Sequence, residues 1–327
     1  MKAIVLDRYG PPEVLQLAEV EAPTPASGEL LVKVAASSVT TADWRIRAAA
    51  FPGILWLPGR LMMGLFRPKN RIPGGEFAGV VAATGDGVTK FRVGERVFGF
   101  CGHGGNAEYL TIAESGAVVR TPDGMSDQEA AALPFGGQSA LIFLRDFAAL
   151  RVGMDVLILG ASGGVGVYAV QIARAFGARV TGVASGANAA FVRDLGAETF
   201  VDYRTEDPAA GGRLYDIVFD AVGAFDYAKA RRVLKKDGAF VPLNYVGREI
   251  LQSLLARLTG GPRLVIAVSG DSAENLQVLC DMVAAGQIRP VIDRTYPLDR
   301  VAEAHAYVET RRRRGAVIID VAEGSPA

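Results

Sequence analysis

The sequence predicts an α/β protein built from two domains, one rich in β-strands and one containing a doubly wound parallel sheet. The chain has 327 residues, about twice the common size of a domain. Its first 120 residues contain short β-like runs interrupted by glycine and proline, which favour a compact, mostly antiparallel unit. After Pro122, apolar strand-like runs alternate with helical patterns at the interval typical of a parallel sheet.

Composition narrows the class of protein. Hydrophobic residues make up 50% of the chain, enough for a large buried core, and 35 basic side chains balance 35 acidic ones. The neutral total gives no general attraction to nucleic acid or anionic lipid. Two cysteines, Cys101 and Cys280, exclude a disulfide scaffold and a cysteine-rich zinc site and favour a reducing, cytoplasmic compartment. The apolar stretch 51–66 is interrupted by prolines, glycines and Arg60, so it predicts a packed loop or a lid over a hydrophobic substrate, and no membrane span.

Strands of the first domain are predicted where apolar and β-branched residues run between turn signals. The opening segment 1–6 reaches Asp7 at once, so we expect an edge strand rather than the apolar core of a signal peptide. Further strands are expected at 30–34, 79–83 and 95–98.

The second domain begins with a helix start at Ser126-Asp127-Gln128-Glu129. The unbroken apolar run 156–159 then predicts a strand covered on both faces. Helical spacing of apolar residues from Val165 to Phe176, with Gly177 as the C-terminal cap, predicts the helix that follows. The remaining strands are expected at 179–183, 199–201, 216–219 and 239–243.

The last part of the chain breaks this alternation. Strands are predicted at 291–296 and 316–321 around a helix at 301–310, and we infer that this tail returns to the first domain. The basic run 311–314 follows that helix, where the helix dipole favours cations, so it predicts a solvated cap. The predicted domains are 1–124 with 270–327, and 125–269.

A glycine-rich run, Gly160-Ala161-Ser162-Gly163-Gly164-Val165-Gly166, lies between the predicted strand 156–159 and its helix. A diphosphate needs a close backbone approach that a β-carbon would block, and a helix N-terminus offers free N–H groups with a partial positive charge. Counted back from its last glycine, the run is A-x-G-x-x-G, a variant of the dinucleotide fingerprint in the required strand–turn–helix context. The alternative is a purely structural tight turn. We predict cofactor contacts at Ala161, Ser162, Gly163, Gly164, Val165 and Gly166.

The end of the second parallel strand bears on the choice between NADPH and NADH. Enzymes that use NAD usually carry Asp or Glu there, but this chain has Val183-Ala184-Ser185-Gly186-Ala187-Asn188, without an acid or a base. Ser185, and Tyr203 after the third strand, offer hydroxyl groups to a 2′-phosphate, unless both are ordinary loop residues. We therefore predict NADPH by a modest margin, with NADH as the alternative.

Several further segments resemble the medium-chain dehydrogenase/reductase superfamily, in its zinc-independent quinone-oxidoreductase-like branch. The matching segments span nearly the whole chain and comprise 36–39 with 43–44, 74–79, 93–97, 107–109, 163–166, 195–197, 219–223 and 290–293. The resemblance implies a GroES-like catalytic domain formed from both ends of the chain, a central Rossmann domain, and a cleft between them for nicotinamide and substrate. It also implies cofactor contacts at Ser139 and Val222.

Departures from the superfamily pattern bear on the chemistry. Zinc alcohol dehydrogenases carry Cys and His where this chain has Thr40 and Thr41, and His where it has Gly75. The four-cysteine structural zinc loop is also missing. Without zinc as a Lewis acid, alkoxide stabilisation is lost, so ordinary alcohol oxidation is not expected.

The resemblance also bears on the residues near the nicotinamide. Zinc-free relatives commonly have Asn at the position of Thr40, whose hydroxyl can replace part of the amide's hydrogen bonding. The tyrosine that donates a proton in enoyl-thioester reductases is replaced by Ala50-Phe51-Pro52, so no catalytic acid or base is assigned. Close relatives tend to have Arg where Ala187 stands, which limits the expected preference for NADPH.

Together these features predict an enzyme, an NAD(P)H-dependent oxidoreductase that transfers a hydride to a quinone or an activated enone. Two alternatives remain, an NADPH-dependent reductase of α,β-unsaturated carbonyls and a low-turnover dinucleotide-binding sensor. We expect a small hydrophobic substrate and no nucleic-acid partner. By resemblance we expect a homodimer, with 263–268 as the edge strand at which two sheets pair.

Overall fold

The computed structural model describes residues 1–51, 56–244, 249, 252–253, 261–268 and 270–322. Pro52, part of the segment expected to replace a tyrosine donor, and residues 53–55 of the predicted loop or lid lie outside the described residues. In the described part of the chain, no helix combines the length and apolarity needed to cross a bilayer.

The first domain is built on a mostly antiparallel sheet. Its elements are β1 (Lys2–Leu6), a 3-10 helix (Pro12–Val14), β2 (Leu15–Glu19), β3 (Glu29–Ser38), α1 (Thr41–Ala48), α2 (Trp56–Met63), β4 (Glu76–Thr84), β5 (Arg96–Phe100), β6 (Tyr109–Ala113) and β7 (Ala117–Arg120). β3 pairs with β4 and β6, and β5 pairs with β4 and β7. Alternate side chains of β3, namely Leu30, Val32 and Val34, are buried in the core of this domain, as the two-residue period of a strand requires.

The second domain is a parallel sheet with helices on its faces. Its elements are α3 (Asp127–Ala131), α4 (Pro134–Ile142), a π-helix (Phe143–Phe147), β8 (Asp155–Leu159), α5 (Gly166–Ala175), β9 (Arg179–Ala184), a 3-10 helix (Gly186–Asn188), α6 (Ala189–Asp194), β10 (Thr199–Asp202), β11 (Tyr215–Asp220), α7 (Tyr227–Arg231), β12 (Leu234–Pro242), β13 (Arg263–Leu264) and α8 (Ala273–Ala284). The strand order is β10-β9-β8-β11-β12-β13. The chain reverses direction across the sheet between β8 and β11, and ligands bind at such switch points.

The tail rejoins the first sheet. Its elements are β14 (Ile292–Pro297), a 3-10 helix (Leu298–Arg300), α9 (Val301–Glu309) and β15 (Ala316–Asp320). β15 pairs antiparallel with β3, where Ile318 lies opposite Ser38. The predicted fold class, a GroES-like domain with a Rossmann domain, is confirmed.

The structure bears on two predictions, the edge strand 263–268 and the limits of the domains. β13 covers only Arg263–Leu264, so the predicted edge strand 263–268 is too long, although the N–H of Val265 still donates to the carbonyl oxygen of Phe240 in β12. Helix α8 buries Leu276 and Leu279 in the core shared with α4 and α5. The domain limits stay a prediction, because α8 packs against β7 of the first domain as well as against α4.

His305 of α9 is fully buried against α1. Arg47, also fully buried, donates to the carboxylate of Glu309. In the described part of the chain neither ring nitrogen of His305 has a hydrogen-bond partner. Burial, together with the positive charge of Arg47, lowers the pKa of His305 to about 3. His305 is therefore a neutral core residue.

We expect His305→Leu to reduce the loss of stability in acid. In the unfolded chain His305 binds a proton with an ordinary imidazole pKa of 6.5, whereas in the folded protein its pKa is about 3. The unfolding free energy therefore falls as the pH drops through this window, by up to about 1.4 kcal/mol per pH unit. In urea unfolding between pH 7 and pH 5, the difference between variant and wild type should move in favour of the variant as the pH falls. A difference independent of pH contradicts this assignment.

Candidate active site

The glycine-rich turn leaves the carboxyl end of β8 and enters α5. Gly160 has a φ of +80°, and a β-carbon there would overlap the side chain of Val222. A β-carbon at Gly166 would overlap the carbonyl oxygen of Gly160. Both positions therefore require glycine for the turn itself, while the methyl group of Ala161 is buried in the core beneath it.

The outer side of this turn fits an anion. Ser162, Gly163, Gly164 and Val165 are partly exposed, and within the described ranges no protein acceptor meets the N–H groups of Gly164 and Val165. These groups lie at the N-terminus of α5, where the helix dipole adds positive charge. A β-carbon at Gly163 would contact only the Gly160 carbonyl oxygen, at 3.4 Å, so the approach is open. This is the cradle that a diphosphate needs.

A guanidinium group lies over this cradle. A β-carbon at Gly164 would stand 2.7 Å from Nη2 of Arg313. Nη1 of Arg313 donates to the carbonyl oxygen of Val39 (2.8 Å), and Nη2 donates to Oγ1 of Thr41 (3.2 Å). Arg313 thus joins the chain around Thr40, in the first domain, to the glycine turn of the second. It belongs to the run 311–314, so the prediction of a solvated cap is wrong for this residue.

Two buried acids lie behind Arg313. The carboxylate of Glu76, 2% exposed, accepts hydrogen bonds from the Ser38 hydroxyl and from the N–H of Phe135 (2.6 Å). Burial raises the pKa of Glu76 to about 8 and also raises the pKa of Asp43. Burial lowers the pKa of Arg313, while the charges of Glu76 and Asp43 oppose that shift.

Thr40 serves as the N-cap of α1. Its hydroxyl donates to the Asp43 carboxylate (2.5 Å) and accepts from the Asp43 N–H (3.3 Å). The same carboxylate accepts from the N–H groups of Thr40 (2.7 Å) and Gly75 (3.2 Å). Thr40 and Asp43 therefore form a capping box, and the same carboxylate links Thr40 to Gly75. Contact between Thr40 and nicotinamide stays a prediction.

Helix α4 connects the acids to the glycine turn. A β-carbon at Gly136 would overlap the carbonyl oxygen of Gly164, so glycine lets α4 approach the turn closely. The preceding residue, Phe135, donates its N–H to Glu76. Ser139, predicted as a cofactor contact, lies on the same helix and is 6% exposed.

The loop after β9 is tied to the glycine turn by Asn188. Its Nδ2 donates to Oγ of Ser185 (3.1 Å) and to Oγ of Ser162 (3.3 Å). The structure thus brings these two predicted contacts together. Tyr203 is 56% exposed, and its N–H donates to the carbonyl oxygen of Ala184 (3.3 Å).

Two charged side chains meet at this loop. Nη2 of Arg314 donates to the carbonyl oxygen of Ala187 (3.1 Å), so this side chain is exposed as predicted but binds the loop rather than the end of the helix. The carboxylate of Asp202, at the end of β10, fills the space beside Gly186. Residues 183–188 themselves contain neither an acid nor a base, as expected. The sequence did not predict that Arg314 and Asp202 lie beside them.

The loop after β11 is anchored by a buried carboxylate. Asp220 accepts hydrogen bonds from the N–H groups of Val222 (3.0 Å), Gly223 (2.8 Å) and Phe225 (2.8 Å). These bonds hold the partly exposed side chain of Val222 against Gly160. Val222 therefore borders the turn, and its contact with the cofactor stays a prediction.

Comparison with known proteins gives a consistent result. The model for the alcohol dehydrogenase GroES-like domain matches residues 26–123, and that for zinc-binding dehydrogenase matches residues 195–319. A chloroplast envelope quinone oxidoreductase homolog from Arabidopsis thaliana is 30% identical, with 98% of each chain covered. The chain belongs to the quinone-oxidoreductase-like branch of the medium-chain dehydrogenase/reductase superfamily.

A further relative and a solved structure support the assignment to this branch. A chloroplastic NADPH-dependent alkenal/one oxidoreductase from Arabidopsis thaliana is 30% identical over 98% of this chain and 79% of its own. The structure of the quinone oxidoreductase from Coxiella burnetii has a TM-score of 0.86 and 30% identity, over 98% of this chain and 99% of that chain. Members of this branch are oxidoreductases, so the prediction of an enzyme is confirmed.

In this oxidoreductase we expect Gly164→Val to abolish dinucleotide binding while leaving the fold intact. The added side chain would enter the cradle and displace the end of the Arg313 side chain, which is flexible, rather than the sheet behind it. Calorimetric titration with NADPH should show at least a tenfold loss of affinity, about 1.4 kcal/mol or more.

Two controls separate binding from folding. Gly211→Val places its side chain in open space and should change neither NADPH affinity nor thermal unfolding. Gly166→Ala should instead lower the unfolding temperature, because its β-carbon would strike the Gly160 carbonyl. Unchanged NADPH affinity in folded Gly164→Val would mean that the turn does not hold the diphosphate.

Proposed function

We propose that the protein transfers a hydride from NADPH to a quinone or an activated enone in the cleft between its two domains. The observation that carries this proposal is the glycine cradle, which is open at Gly163 and faces Arg313 at Gly164. Arg313 is a cation that hydrogen bonds to the opposite domain. The names of the relatives, a quinone oxidoreductase homolog and an NADPH-dependent alkenal/one oxidoreductase, support both acceptor classes.

The chain's own residues would bind and orient the cofactor, whose reduced nicotinamide supplies the hydride. The N–H groups of Gly164 and Val165, with Arg313, would hold the diphosphate. Ser162 and Ser185, linked through Asn188, would bond the adenosine ribose. The fixed loop at Val222 would border the cofactor from the other side of the turn, and Ser139 and Thr40 remain proposed contacts near the nicotinamide.

We propose that the reaction is independent of zinc. Thr40, Thr41 and Gly75 supply no imidazole or thiolate, and the Asp43 carboxylate beside them is occupied by hydrogen bonds from Thr40 and Gly75. Cys101 lies nearby, and its thiol donates to the carbonyl oxygen of Gly75 (3.3 Å). One thiol supplies only one of the three or four ligands that zinc needs.

Proton delivery would come from water. Reduction of a quinone takes up one hydride and one proton overall to give the hydroquinone. The hydroxyl hydrogen of Thr40 is already donated to Asp43, and Glu76 is buried beneath the cleft. The protein would therefore contribute binding and orientation rather than a catalytic acid.

We further propose a homodimer that works in the cytoplasm. β13 lies at one end of the strand order of the parallel sheet, so its outer edge is available for pairing within the described part of the chain. The short length of β13 limits the hydrogen bonds that such pairing offers.

Oxidation of NADPH against a panel of quinones, enones, aldehydes and alcohols tests the proposed activity. We expect turnover with quinones or enones, none with ordinary alcohols and NADP⁺, and no loss of activity with a chelator. Elemental analysis should find zinc far below one equivalent. Tight NADPH binding without turnover on any acceptor would instead favour the low-turnover sensor, and near-stoichiometric zinc would overturn the metal-free assignment.

We expect Arg314→Gln to weaken NADPH binding by roughly tenfold and to leave NADH binding nearly unchanged. Arg314 stands at the Ala187 carbonyl, beside the ribose end of the site, where it can pair with a 2′-phosphate. A charge-assisted hydrogen bond contributes about 1.5–3 kcal/mol, and the exposure of Arg314 favours the lower end. Dissociation constants for both cofactors provide the measurement.

Arg312→Gln is the matched control for this variant. It removes the same charge from an exposed neighbour in the same run and should change neither constant beyond general screening effects. Equal weakening of NADPH and NADH by Arg314→Gln would show that Arg314 does not read the 2′-phosphate.

A further inference from the structure

An apolar surface lies on α2 and the residues that follow it. Six of the thirteen exposed large hydrophobic side chains in the described part of the chain lie between residues 56 and 66. They are Trp56, Leu57, Leu61, Met62, Leu65 and Phe66, and Phe66 is 86% exposed. We call these six side chains the α2 surface. Apolar groups concentrated in this way mark an interaction site.

Side-chain contacts fix the α2 surface to the first domain. The hydroxyl of Tyr9 donates to the carbonyl oxygen of Gly64 (2.8 Å). The guanidinium of Arg60 lies 4.1 Å from the ring centre of Tyr9 and 5.6 Å from that of Trp56, and it also donates to the Leu65 carbonyl. The apolar side chains are therefore presented on a fixed support.

Cations lie beside the α2 surface, and acids are missing from its stretch of sequence. Residues 44–75 contain six Lys and Arg side chains and no Asp or Glu, although the whole chain is neutral. Of the six, Arg47 is buried and paired with Glu309, and Arg71 is paired with Asp7. Arg67 and Lys69 are exposed directly after Phe66. Nζ of Lys69 donates to the carbonyl oxygen of Leu61 (3.1 Å), which keeps this cation beside the apolar side chains.

We propose that the α2 surface docks on anionic lipid bilayers. Trp, Leu, Met and Phe side chains enter the boundary between headgroups and acyl chains, while neighbouring Lys and Arg side chains bind anionic headgroups. A second copy of the same surface would fit less well, because residues 44–75 supply no carboxylate and the carboxylate of Asp7 is already paired with Arg71. The proposal does not depend on the proposed catalytic function, although a bilayer is where lipophilic quinones dissolve.

Vesicle co-sedimentation of the full chain tests the proposal. We expect binding to vesicles of phosphatidylcholine mixed with phosphatidylglycerol, weak binding to phosphatidylcholine alone, and loss of binding as salt is raised from about 0.1 M to 1 M, where the Debye length falls from about 10 Å to 3 Å. Absence of binding to the anionic vesicles would overturn it, as would equal binding to both vesicle types.

Single substitutions locate the contact. Phe66→Ser should weaken binding to anionic vesicles at least tenfold, whereas Val152→Ser, which changes an 82% exposed apolar side chain on the other domain, should not. Arg67→Gln should weaken binding about fivefold, with exposed Lys236→Gln as its control.

Two further measurements separate lipid binding from misfolding and from self-association. NADPH affinity in buffer should be the same in all four variants and the wild type, which shows that the fold is retained. Sedimentation without lipid tests for self-association. A dimer that Phe66→Ser dissociates, with vesicle binding unchanged, would assign the α2 surface to a second copy of the chain and overturn the lipid assignment.

Discussion

The arrangement of the cleft depends on one partly buried cation. The guanidinium of Arg313 donates to Val39 and Thr41 in the catalytic domain while covering Gly164 in the Rossmann domain. Burying a charge is costly unless it is compensated, and Glu76 and Asp43 lie close enough to favour the charged form. Those acids are in turn fixed by N–H groups of both domains, so cation, acids and domain orientation support one another.

The balance of these charges explains how a buried pair of acids can coexist with an anion site. Burial raises the pKa of Glu76 to about 8 and also raises the pKa of Asp43, so burial opposes full negative charge on this pair of acids. Asp43 then faces Arg313 while accepting two N–H groups of its own domain. Glu76 and Asp43 therefore do not fully neutralise the charge of Arg313. Together with the N-terminus of α5, Arg313 leaves a positive potential at the cradle.

The sequence predicted what local patterns determine and missed what distant segments contribute. The strand, turn and helix from Asp155 to Ala175 follow from apolar periodicity and glycine spacing within about twenty residues. Arg313, Arg314 and Asp202 reach the site only because the tail rejoins the first sheet and β10 pairs with β9. The basic run 311–314 indicated a cluster of cations, but favourable interaction with the helix dipole explained all four arginines equally well. Only the fold separates Arg312 from Arg313 and Arg314, whose guanidinium groups donate to the carbonyl oxygens of Val39 and Ala187.

The α2 surface shows the same limit for electrostatics. A net charge of zero predicts no attraction between the whole protein and a bilayer, and this holds at distances where all 70 charges are felt together, 35 of each sign. Screening shortens the relevant distance to about 8 Å in physiological salt. At that range a lipid headgroup beside Phe66 would interact with Arg67 and Lys69 rather than with acids on the far side of the molecule. The acid near Arg67, Asp7, is paired with Arg71. The absence of any carboxylate between residues 44 and 75 therefore matters more for this face than the neutral total.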